Sequence, residues 1–167
     1  CELQMAQECA IEFDATEMDD LMVAYHHARI LIMRGKLDTA KDWLQAQETQ
    51  ALTKQDDDLK SNYFFIELLR LVTHIRLELA SGKTDKALSL LKLHQEKAKE
   101  HGVRRSVIEG KILQALAFDA QGNDQHALDA IKEALFLSEQ DGFIRLFVDE
   151  GQPLAKLLYK AAEVGYS

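Results

Sequence analysis

Residues 81–91 read "SGKTDKALSLL", and the role of Gly82 decides the fold. Gly-Lys-Thr invites a phosphate-loop reading, which needs a further glycine five residues earlier and a preceding strand, so that backbone N–H groups surround the phosphates. Leu77 stands at that place, inside an apolar run with three- and four-residue steps. Gly82 therefore stops a helix. The same arrangement recurs in "RGKLDTAKDWL" (34–44) and "QGNDQHALDAI" (121–131). Gly35, Gly82 and Gly122 are each followed five residues later by alanine (Ala40, Ala87, Ala127). Nine residues after each glycine stands a bulky apolar side chain (Leu44, Leu91, Ile131). A glycine takes the left-handed cap conformation without a Cβ penalty. The alanine lets two backbones approach, and the leucine or isoleucine one turn on fills the space between two arms. One hairpin cannot bury its face alone, so neighbours must stack.

The pattern predicts an all-α protein, a tetratricopeptide-like superhelix of antiparallel helical hairpins (an α-solenoid). Helices are expected near 2–13, 17–34, 37–52, 58–81, 84–101, 103–121, 124–140 and 152–164. They group into hairpins at about 17–52, 58–101 and 103–140, with a closing segment at 141–167, all in a single domain. Two wide apolar stripes support packing on both sides. One holds Phe65, Leu68, Leu69, Val72, Ile75 and Leu79; the other holds Val107, Ile108, Ile112, Leu113, Leu116 and Ala117. Asp14 with Glu17 fits a capping box. The polar run "TKQDDDLKSN" (53–62) reads as a linker.

Composition agrees. The chain has 167 residues, 47% hydrophobic and 29% charged, with a single proline. A formal net charge of −8 repels a phosphate backbone and argues against direct nucleic-acid binding. Cys1 and Cys9 lie too close together to staple a fold and read as reduced thiols of a cytoplasmic protein. No apolar run approaches the roughly 18 residues of a membrane span. The chain starts without methionine, inside a helix-like stretch, and is expected to be a fragment of something longer.

The glycine–alanine units resemble degenerate tetratricopeptide repeats. The block "ALFLSEQDGFIRLFVDEGQPLAKLL" (134–158) resembles the segment closing the helical-repeat region of large ATP-dependent LuxR-type transcription regulators, the MalT-like group. "ARILIMRGKLDTA" and "IEGKILQALAFDAQGNDQHAL" are similar to that region too. The resemblance implies a nucleotide-binding switch before the repeats and a helix-turn-helix domain after them. It also implies a part in inducer recognition and self-association for the repeats themselves. Expected partners are then the other domains of the same regulator, a second copy, and a small-molecule inducer or regulatory protein. No cofactor and no catalysis are expected in this segment. A tetratricopeptide-like adaptor that binds a protein and senses no small molecule is the alternative.

Arg29 and Arg76 each lie six residues before their repeat glycine, on first-arm helices, and Tyr25 shares the face of Arg29. With Glu109 on the third first arm, they are the candidate groove residues. Arginine forks beside an aromatic ring suit a carboxylate, phosphate or sugar, although pairing with neighbouring carboxylates is the ordinary role of such arginines. The six histidines show no zinc-ligand spacing, and no nucleophile is paired with a base. His126 has no evident partner. Trp43 is expected to pack between hairpins, with a sugar platform as the alternative. Phe143, Ile144, Leu146, Phe147 and Val148 are expected to cap the last hairpin, with Arg145, Asp149 and Glu150 facing solvent.

Overall fold

The computed structural model describes the backbone of residues 17–53, 63–139 and 142–165, and side chains within 22–47, 64–139 and 142–165. The expected helix at 2–13, the Asp14 cap, both cysteines and most of the 53–62 linker lie outside the described residues. All regular structure among the described residues is helical. In chain order the helices are α1 (Glu17–Met33), α2 (Leu37–Thr53), α3 (Tyr63–Ala80), α4 (Thr84–Glu100), α5 (Arg104–Ala120), α6 (Asp124–Ser138), α7 (Ile144–Val148) and α8 (Gly151–Glu163). The chain divides into two compact units, Cys1–Ser81 and Gly82–Ser167.

The bends form as the glycines require. Gly35, Gly82 and Gly122 have φ of 72°, 73° and 72°. At the first bend Gly35 N–H donates to Ile32 O at 2.9 Å and Lys36 N–H to Leu31 O at 2.9 Å, which satisfies the open carbonyls of α1. Gly122 N–H and Asn123 N–H repeat the pair on Asp119 O and Phe118 O, both at 2.9 Å. The residue after each glycine then starts the next helix. Its carbonyl accepts from the repeat alanine: Ala40 to Lys36 at 3.1 Å, Ala87 to Lys83 at 3.1 Å, Ala127 to Asn123 at 3.0 Å. Asn123 adds a side-chain cap, accepting from His126 N–H at 3.5 Å.

Burial follows the template. Ala40, Ala87 and Ala127 are each 0% exposed, and Leu44, Leu91 and Ile131 are 1%, 1% and 0% exposed. Full burial of such a leucine or isoleucine is worth about 1.5–3 kcal/mol. In the first unit α1 packs on α2, and α3 packs on both. The core there joins Tyr25, Leu31, Ile32, Ala40, Leu44 and Leu77. In the second unit α5 packs on α4 and α6, and α8 packs on both α5 and α6. Ile108, Ile112, Ala130, Ile131, Leu146, Leu154 and Leu157 form the centre of that core.

Several details depart from the sequence reading. The helix expected at 124–140 stops at Ser138, and the closing block contains a separate short helix, α7. Phe65 is 44% exposed, whereas Leu71 and Leu77, outside the expected stripe, are 2% and 6% exposed. The α4–α5 connection repeats the glycine bend at Gly102, φ 66°, with Val103 N–H on Ala98 O at 2.8 Å.

Because a Cβ at Gly122 meets open space but φ is left-handed, the cost of Gly122→Ala is one of backbone conformation. It is expected to lower unfolding free energy by about 1–2 kcal/mol, with Gly122→Asn losing less. Urea unfolding followed by circular dichroism checks both.

Candidate functional site

The first unit holds three of the four candidate groove residues. Tyr25 is 5% exposed and meets Trp43 edge-on, with ring centroids 5.4 Å apart and planes at 87°. This is a favourable aromatic geometry. Tyr25 thus belongs to the α1–α2 core, and Trp43, half-buried, packs in that core as well. Arg29 is half-buried on α1. Arg76 is 8% exposed on α3, a helix with Thr73 and Glu78 also buried at 4% and 6%. The two arginines occupy the same phase of α1 and α3, helices that pack directly on each other. Each makes polar or electrostatic contacts within the protein. Glu109 lies in the second unit, half-buried on α5. Its helix carries Leu116, not Glu109, at the place six residues before the glycine.

The second unit carries a polar frame that the sequence reading did not assemble. Lys160 on α8 reaches Asp119 Oδ1 at 3.0 Å and Asp124 Oδ1 at 3.3 Å, thereby holding α8 against the α5–α6 bend. Gln121 Nε2 donates to Asp85 Oδ1 at 2.7 Å and Thr84 Oγ1 at 3.2 Å, joining the start of α4 to the end of α5. At the opposite end Arg104 Nη2 donates to Leu137 O at 2.9 Å, closing off a carbonyl of the last turn of α6. Between these ends Lys111, 13% exposed, pairs with Glu133 at 2.7 Å.

Gly110 is the residue that sequence reasoning passed over. It is buried in mid-α5. A Cβ there would stand 3.1 Å from His94 Nδ1 and 3.2 Å from Gln95 Cγ. The missing side chain lets α4 and α5 approach around His94, itself 0% exposed. A mid-helix glycine costs about 1 kcal/mol in propensity, and that cost was the one available signal. His126, expected to lack a partner, has its Nδ1 2.8 Å from Asn123 Oδ1 and its ring 5.2 Å from that of Phe118. The closing block is only half cap. Phe143, Leu146 and Phe147 pack on the core, whereas Ile144 and Val148 are 71% and 68% exposed. Arg145 faces solvent, and Asp149 and Glu150 are half-buried.

With this repeat geometry in view, the comparisons are consistent. The family described as the MalT-like TPR region matches residues 2–164. The chain belongs to that family. The HTH-type transcriptional regulator MalT of Vibrio cholerae serotype O1 is 27% identical over 125 residues, 75% of this chain. The matched stretch is 13% of that relative's length. No solved structure matches. Among the described residues of this MalT-like TPR region, no group of three or more His, Cys, Asp or Glu is placed to hold a metal ion. None of the described helices is long and apolar enough to cross a membrane.

The Lys160 ammonium is held above its ordinary value of 10.5, first by the hydrogen bond to Asp119 and then by that to Asp124. The folded state thus binds this proton more tightly than the unfolded chain does. The stability it supplies is complete below pH 10.5 and is lost as pH rises through the higher folded-state value. Lys160→Gln should flatten this part of the pH dependence of unfolding. Added salt should shrink the difference between the two proteins near neutral pH, because the pair is solvent-accessible.

Proposed function

We propose that this chain is a signal-sensing and protein-interaction region of an ATP-dependent LuxR-type transcription regulator, acting in the cytoplasm. Its membership of the MalT-like TPR region family carries the reading, and the similarity to a protein named as an HTH-type transcriptional regulator gives it direction. In this proposal the hairpins perform no catalysis and hold no cofactor. ATP hydrolysis and DNA contact belong to other domains of the regulator. The repeats couple occupancy by an inducer or regulatory protein to self-association and to contacts with those domains. Such coupling needs two packings of similar free energy, with the ligand binding one of them more tightly.

The phase shared by Arg29 and Arg76 is the place we assign to recognition. Two guanidinium groups on adjacent first arms match a ligand rich in oxygen acceptors, such as a sugar, carboxylate or phosphate ester.

Isothermal calorimetry and thermal-shift measurements against sugars and phosphorylated metabolites test the proposal. A true inducer is expected to raise the melting temperature. Arg29→Ala is expected to weaken its binding by roughly tenfold or more, the loss of one charge-assisted hydrogen bond. If no small molecule binds and a protein partner binds tightly, the adaptor reading replaces the sensor reading. ATP turnover by the purified chain would overturn the non-catalytic assignment.

A further inference from the structure

The outer face of α1 carries no charge. Between Met22 and Met33 its exposed positions are Met22, His26, Ile30 and Met33. Steps of four, four and three residues set them in one stripe along the helix. Met22 and Ile30 are 41% exposed, and Met33 is 68% exposed. The stripe lies away from the core, to which α1 gives Tyr25, Leu31 and Ile32. A helix that faces water is charged or polar on that side. Accordingly α2 exposes Asp38, Lys41 and Asp42, and α4 exposes Lys86, Lys92 and Glu96. Single exposed apolar residues are ordinary, but a continuous apolar stripe marks a surface that meets another. Methionine, unbranched and flexible, suits such a contact.

Charge decides what covers it. The sequence puts Glu17, Asp19 and Asp20 at the start of α1, and Arg34 and Lys36, both exposed, just past its end. Laid antiparallel against an identical helix, the stripe meets itself, with Met22 opposite Met33 and His26 opposite Ile30. The same register sets Asp19 and Asp20 of each copy across from Lys36 and Arg34 of the other. A parallel pairing would set acid on acid and base on base, which is unfavourable. A two-fold contact of this kind closes with two copies.

We infer that the stripe from Met22 to Met33 is a self-association surface, on which two copies of this chain pair through antiparallel α1 helices. The inference rests on the reading that the repeats self-associate, and it assigns that contact to one face.

Analytical ultracentrifugation of the purified chain tests it. The unaltered chain is expected to dimerise. Ile30→Asp with Met33→Asp should weaken the dimer by roughly tenfold or more, because each carboxylate enters the contact twice. Both positions are exposed in the single chain, so its helical circular dichroism should not change. Asp20→Lys should also weaken the dimer, and adding Arg34→Glu to the same chain should restore it, a rescue that a structural effect at either position does not give. In a background with Cys1 and Cys9 changed to serine, chains carrying Met22→Cys should form disulfides with chains carrying Met33→Cys and not with one another. A dimer unmoved by the paired aspartates would overturn the inference and leave self-association to another surface. A chain that stays monomeric at every concentration would overturn it as well, while ligand binding by that chain would leave the sensing proposal standing. Disulfides among Met22→Cys chains alone would overturn the antiparallel register.

Discussion

The α1–α2 and α5–α6 hairpins each depend on one residue used in two directions. At the bend, the residue after the glycine gives its N–H to the end of one helix and its carbonyl to the start of the next. Lys36 donates to Leu31 O at 2.9 Å and accepts from Ala40 at 3.1 Å; Asn123 donates to Phe118 O at 2.9 Å and accepts from Ala127 at 3.0 Å. That exchange is open only if the preceding residue is left-handed, which glycine reaches without strain. Both helices thus share the hinge residue, which couples the end of one to the start of the next. The alanine at the fifth place is then held where the arms are closest. A larger side chain there would have to displace the facing backbone.

The same economy of space appears wherever helices must come close. Gly110 removes a side chain altogether so that His94 can sit against α5. Alanines at 115, 127, 130 and 134 line the α5–α6 seam, all between 0% and 6% exposed. Bulk is supplied from outside the seam by Leu146, Leu154 and Leu157 of the closing segment. Small residues alternate there with Ile108, Ile112 and Ile131 of the same two helices, and the closing segment adds its leucines to that core. Lys160, anchored on both sides of the Gly122 bend, fixes α8 in place without taking up core volume.

The bends were legible because their chemistry is local. Glycine spacing and helical periodicity located α1, α2 and α4–α6 to within one or two residues at each end. Gly102 escaped the template for a specific reason. It makes the same hydrogen bonds, and Val107 N–H reaches Val103 O at 3.1 Å, but it leads into a first arm, where valine takes the place of the alanine. What depended on tertiary neighbours was not legible. Nothing near Gly110 in sequence announces His94, sixteen residues earlier. Periodicity assigned Phe65 to a buried face, and apolar clustering assigned Ile144 to the cap, because both register polarity and not which side is covered. For Tyr25, it recorded a shared face with Arg29 but not the Trp43 ring that takes up the tyrosine.

The place six residues before the bend is where the repeats cease to be alike. Seven before, the scaffold holds Ala28, Ile75 and Ala115, all 0% exposed. One step on stand Arg29, Arg76, Leu116 and, before Gly165, Tyr159. Adjacent positions on a helix point about 100° apart, so the two series face different surroundings. The first lies in the seam, where only volume counts and the residues stay apolar. The second lies at its margin, where half-buried Arg29 and Leu116 meet a boundary that accepts charge, aliphatic or aromatic side chains alike. Arg76, at 8% exposed, is drawn further in, so this one place ranges from core to boundary between repeats. One residue thus separates a seam that stays apolar from a place where charge, aliphatic and aromatic side chains all occur.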